Sequence, residues 1–220
     1  MDEVRDTTEA TSTEHRTPAS EETAPGPLPD EHYGRLPDWN FDLMPSSTAV
    51  IMASLFLALG FTVNMQITER IDTVMWGGVS PLWGLFFFSL WILPAALFFG
   101  IPGALIVANI NPIVANLTAT NPLAPTFFAT NTLYALPMAL WCWYLKEPGR
   151  GLTFGQVAAA HFLSIPLAVV PLALIWAFVL NFTLPVIAMW FVGSVLFGWA
   201  GVFVAYPFTK KLLESGVIQQ

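Results

Sequence analysis

Residues 81–119 read PLWGLFFFSLWILPAALFFGIPGALIVANINPIVANLTA, with no charged side chain anywhere in the run. Crossing a bilayer takes about 20 mainly apolar residues, so the stretch holds two spans, 81–99 and 103–119. Gly100 and Pro102 supply the break between them. Further spans are expected on either side. Ser46, Ser47 and Thr48 are suited to cap a first helix over 49–65, followed by a polar stretch at 66–80 that carries Glu69, Arg70 and Asp72 outside the bundle. After a turn at Thr120, Asn121, Pro122 and Pro125, a fourth span covers 126–145. The Lys146–Gly151 segment, KEPGRG, reads as a loop. Spans at 155–180 and 184–208 flank Asn181, Phe182 and Thr183. The expected fold is an all-α integral membrane protein of six transmembrane helices over residues 46–220.

Composition agrees with that reading. The chain is 55% hydrophobic and 10% charged, against about 25% charged in a soluble domain. Its net charge of -7 is a property of one end, because 11 of the 15 acidic residues lie in the first 42 positions. Residues 1–45, rich in Glu, Thr, Ser and Pro, are expected to form a disordered acidic tail, with too little apolar surface to offset ordering entropy. The segment lacks the basic start and apolar core of a signal peptide. Near its end Trp39, Phe41 and Leu43 alternate with polar residues and suit the membrane interface.

Six spans put both termini on one side, together with the 99–102 and 146–154 connections. That side gathers Arg35, Lys146, Arg150, Lys210 and Lys211, while the other has only Arg70. The positive-inside bias then predicts a multi-pass protein of the cell membrane with both termini cytoplasmic.

Several functions are disfavoured. Nucleic-acid binding wants clustered bases on one face, and none occur. Cys142 is the single cysteine, so neither an intramolecular disulfide nor a cysteine metal motif is available. No catalytic constellation, metal site or cofactor motif is legible. His161 with Ser194 is the only pairing for a serine hydrolase, and the sequence around Ser194 lacks the nucleophile setting. His161 reads more simply as a packing residue, and as the one ionisable group inside a span it gives ion coupling little to run on.

The polar content is amide and hydroxyl, concentrated in the third and fourth spans. Asn109 and Asn116 are seven residues apart and share a helix face, which lipid cannot satisfy. Two readings stand: a pocket for a small uncharged or weakly polar ligand, or hydrogen bonds that knit helices together. In the first helix, Ala49 and Ala53, and Ser54 and Ala58, place small residues one turn apart, allowing close helix approach.

The six spans, the small pairs in the first helix, and the Pro81–Leu85 (PLWGL), Ile101–Ile110 (IPGALIVANI) and Asn121, Pro122, Pro125 patterns resemble the substrate-binding S-components of energy-coupling factor (ECF) ABC transporters. The likeness is closest to the thiamine/hydroxymethylpyrimidine (YkoE-type) subgroup and runs over residues 49–134. That subgroup carries acids where this chain has Asn109 and Asn116. The resemblance implies a subunit that captures a vitamin-like molecule, of the thiamine or pyrimidine-precursor kind, and delivers it to a membrane scaffold and two ATPases. It implies Asn109, Asn116, Asn131, Tyr134 and Trp76 as substrate-binding residues, with Trp76, Gly77 and Gly78 in a lid. It also implies Ala49, Ala53, Ser54 and Ala58 as contacts for the scaffold. The alternative from another class is a structural or assembly membrane protein without transport.

Overall fold

The computed structural model describes residues 33–216, and its regular elements there are helices, with one isolated β-bridge between Arg35 and Thr153. The helices are α1 (Thr48–Trp76), α2 (Leu82–Thr118), α3 (Phe127–Leu145), α4 (Phe154–Phe178), α5 (Leu184–Ala200) and α6 (Val202–Glu214), with a short 3-10 turn at Ala124–Thr126 before α3. Among the described residues, four stretches are long and apolar enough to cross a membrane: α1, α2, α4, and α5 run on into α6. The 19-residue α3 has the length but is diluted by Thr130, Asn131 and Thr132.

A straight 37-residue helix would be roughly 55 Å long at 1.5 Å per residue. Yet both ends of α2 meet the same end of α1. The backbone N–H of Gly84 donates to Asp72 Oδ2 at 2.9 Å, and the Thr120 hydroxyl, just past the helix, donates to Glu69 Oε2 at 2.7 Å. The chain therefore reverses inside α2, at Gly100, where φ is 56° and ψ is -152°. That region is essentially open to glycine alone. The carbonyls of Asp42 and Leu43 also occupy the place where a Cβ would stand, and Leu43 accepts from the Ile101 N–H at 2.9 Å. Pro102 falls in the first turn of the returning half, where its missing N–H is harmless.

Two sequence expectations change. The first helix runs to Trp76 rather than 65, because residues 66–76 continue its pattern inside out. Ile67, Ile71 and Val74 face outward, while Thr68, Glu69 and Asp72 are buried. Residues 33–45 are not a disordered tail either. Leu36 is buried and donates its N–H to Leu152, Tyr33 stacks on Phe154 at 4.4 Å, and Trp39 Nε1 donates to the Leu97 carbonyl. The apolar residues spaced through this segment anchor it across the bundle end. The tail before residue 33 lies outside the described residues.

The core is crossed by one ladder of contacts. Phe61 of α1 meets Phe88 of α2 with ring centroids 5.4 Å apart, and Phe88 meets Tyr134 of α3 at 4.8 Å. The Tyr134 hydroxyl lies 2.5 Å from His161 Nδ1 in α4, and His161 Nε2 lies 2.6 Å from the Gly198 carbonyl of α5. A carbonyl only accepts, so Nε2 carries the proton; in the neutral ring Nδ1 then accepts from Tyr134.

Candidate functional site

The inward face of α1 begins with small residues and ends with acids. Ser54 and Ala58 admit α2 closely, and one or two turns apart follow Phe61, Met65, Glu69 and Asp72, all buried. Position by position, the same stripe that packs the helices delivers two carboxylates to the bundle's far end.

Each carboxylate accepts two hydrogen bonds. Asp72 takes the N–H groups of Trp83 and Gly84 at 3.0 and 2.9 Å, so it caps α2 from a neighbouring helix. Glu69 takes the Asn111 amide and the Thr120 hydroxyl, both at 2.7 Å. Both acids are fully buried, and among the described residues no Lys, Arg or His lies within ion-pairing distance of either. Buried charge is tolerated only with such a complement of donors. Thr73, on the next turn, donates to the Glu69 and Thr120 carbonyls and ties the α2–α3 connection to α1.

Asn111 is the hinge of the arrangement. Its Nδ2 is bonded to Glu69, while its fully buried Oδ1 has no hydrogen-bond partner. The residue lines a cavity of about 20 Å³ shared with Met65, Leu85, Phe88, Thr130 and Asn131. That is room for about one water molecule. Sequence reasoning placed Glu69 and Asp72 in an external stretch and missed them as site residues. The signal was available, since 54, 58, 61, 65, 69 and 72 follow one helix face.

The residues expected to bind substrate have other partners. Asn109 exchanges hydrogen bonds with Thr132 at 3.2 and 3.3 Å. Asn116 lies exposed and donates to the Pro112 and Ala124 carbonyls. Asn131 donates to the Ala108 carbonyl at 2.6 Å and alone among them borders the cavity. Tyr134 belongs to the core ladder. Trp76 stands half-buried at the end of α1, edge-on to Trp190, with Gly77 and Gly78 following at positive φ. Gly78 packs against Pro122, so the 77–81 connection covers the carboxylate end. Of the small residues in α1, Ser54 and Ala58 are enclosed by the chain's own helices, whereas Ala49 is exposed and Ala53 half-buried. Searches of family models, of curated proteins and of solved structures return no match to this chain.

Proposed function

We propose that this protein is a substrate-capture subunit of a membrane importer, without an ATPase of its own, and that its recognition site is the Glu69–Asn111 cluster. One observation carries the reading: an unpaired amide oxygen, backed by a buried carboxylate, borders a cavity where α1, α2 and α3 converge beneath the 77–81 connection. Such a group calls for a donor; seven other buried side-chain nitrogen or oxygen atoms among the described residues also lack a partner, but of the eight only Asn111 Oδ1 borders this cavity. The cavity holds little more than a water as it stands, so capture requires the 77–81 and 119–126 connections to swing aside. The two glycines at positive φ, Gly77 and Gly78, are suited to that motion.

The architecture in this proposal has six spans, with α2 counted as two because of the reversal at Gly100 and α5 with α6 as one. Arg35, Lys146, Arg150 and Lys210 gather at the end opposite Glu69. This supports an orientation with that end cytoplasmic and the carboxylate end facing out, in the cell membrane. Ala49 and Ala53, on the open side of α1 near the cytoplasmic end, are the contacts offered to a scaffold that is in turn driven by two ATPases. The S-component resemblance implies a vitamin-like substrate of the thiamine or pyrimidine-precursor kind. With Glu69 beside the amides, the site also offers the acid that an amino-bearing ligand wants.

A second reading, a structural or assembly protein, is favoured by a specific observation: Asn109, Asn116 and Asn131 all bond within the chain. The deciding experiment purifies the protein and its Asn111→Leu and Glu69→Gln variants, then measures retained small molecules and co-purifying subunits. Capture predicts a retained molecule lost from both variants at unchanged helix content, together with a scaffold and ATPases. Absence of both partners and molecule from the unmodified protein sinks the capture reading in favour of assembly.

A further inference from the structure

We infer that the opposite end of the bundle carries a site for a zwitterionic phospholipid headgroup, one bearing both a phosphate and an ammonium. This inference rests on membrane embedding alone and is independent of the capture reading. A groove of about 450 Å³ opens there between the segment before α1 and the end of α3, lined by Asp38, Trp39, Phe41, Trp143 and Lys146. Its volume falls in the range of small-ligand sites.

Depth and charge together choose the occupant. The last turns of α3 turn Trp141, Trp143 and Tyr144 outward, with exposures of 36%, 50% and 71%. Such aromatic girdles sit at the headgroup level of a bilayer. Within the groove, Lys146 Nζ donates to Asp38 Oδ1 at 2.9 Å and lies 5.2 Å from the centre of the Trp39 ring. An ammonium has three donors and Asp38 takes one, so Lys146, its side chain 12% exposed, has two left with which to reach a phosphate oxygen. Asp38, with its side chain 47% exposed, and the open face of Trp143 together suit a headgroup ammonium, the first by a charge-assisted bond and the second by cation–π attraction. One cation and one anion side by side give the groove a dipole and no net charge. It therefore selects a headgroup of matching dipole over one that is simply anionic.

The test releases the full-length protein from nanodiscs of equal phosphatidylethanolamine and phosphatidylglycerol content and counts retained lipids by native mass spectrometry. The expected result is one phosphatidylethanolamine retained roughly tenfold over phosphatidylglycerol, the worth of one charge-assisted contact. Asp38→Asn and Trp143→Ala should each bring the ratio close to one. Both residues are exposed enough that the fold survives, which an unchanged unfolding midpoint checks. Equal retention of the two lipids, preference for phosphatidylglycerol, or a ratio unmoved in both variants would overturn the assignment.

Discussion

The two ends of the bundle treat charge in opposite ways. At the Glu69 end, two carboxylates are wholly enclosed, accept four hydrogen bonds from uncharged groups, and have no base within ion-pairing distance among the described residues. At the Lys146 end the charges are paired: Lys146, its side chain 12% exposed, with the half-exposed Asp38 at 2.9 Å, and Arg150 with Glu147, both exposed, at 3.3 Å. The first end holds its carboxyl groups by uncharged hydrogen-bond donors and the second holds its charges by counter-charges. Enclosed acceptors organise the backbone around them, whereas exposed pairs contribute on the order of 0–1 kcal/mol. Architecture therefore hangs on the carboxylate end, and the basic end is free to serve as a surface.

This contrast can be broken by substitution, with stability followed by tryptophan fluorescence during denaturation in detergent. The largest loss is expected from Asp72→Ala, which strands the Trp83 and Gly84 N–H groups and removes the cap of α2. At roughly 1–3 kcal/mol per unsatisfied group, the cost is about 4 kcal/mol. Next comes Gly100→Ala at the other end, where a Cβ would have to enter a glycine-only conformation and meet the Leu43 carbonyl. About 2–3 kcal/mol is expected, and a neutral result would mean that the reversal in α2 is not as described. Tyr134→Phe unpairs His161 Nδ1 in the core ladder and should cost about 1–2 kcal/mol. Asp38→Asn should be smallest, under about 1 kcal/mol. If Asp38→Asn matched Asp72→Ala, the distinction between the two ends would fail.

Much of the fold was legible because a bilayer imposes a simple demand on composition. The apolar runs, the break at Gly100 and Pro102, and the loop at 146–151 follow from residue type alone. The end of the first helix was misread for an instructive reason. A polar, acidic stretch in a soluble protein signals a surface, and 66–76 has that composition. Here Ile67, Ile71 and Val74 face outward, and the acids turn in toward Asn111, Thr120 and the start of α2. Residues 33–45 misled in the same way: Leu36, Trp39 and Phe41 are too few to form a core yet enough to dock on one.

The candidate site was legible only in pieces. The amide-rich third span was visible, and Asn131 does border the cavity. Asn109 and Asn116 share a helix face, but that face is turned to α3 and its preceding turn, where Thr132 and the Ala124 carbonyl satisfy them. A helix face predicts that a partner exists, not whether it is a ligand or a neighbour.

By itself the sequence determined that this is a helical membrane protein with charges absent from its longest apolar runs and crowded into the N-terminal region, because apolar length and charge scarcity are properties of composition. Only the tertiary structure decided which polar groups are satisfied from within. Whether Asn111 keeps a free oxygen while Asn109 does not depends on sub-ångström placement of separate helices, and no local pattern encodes that distance.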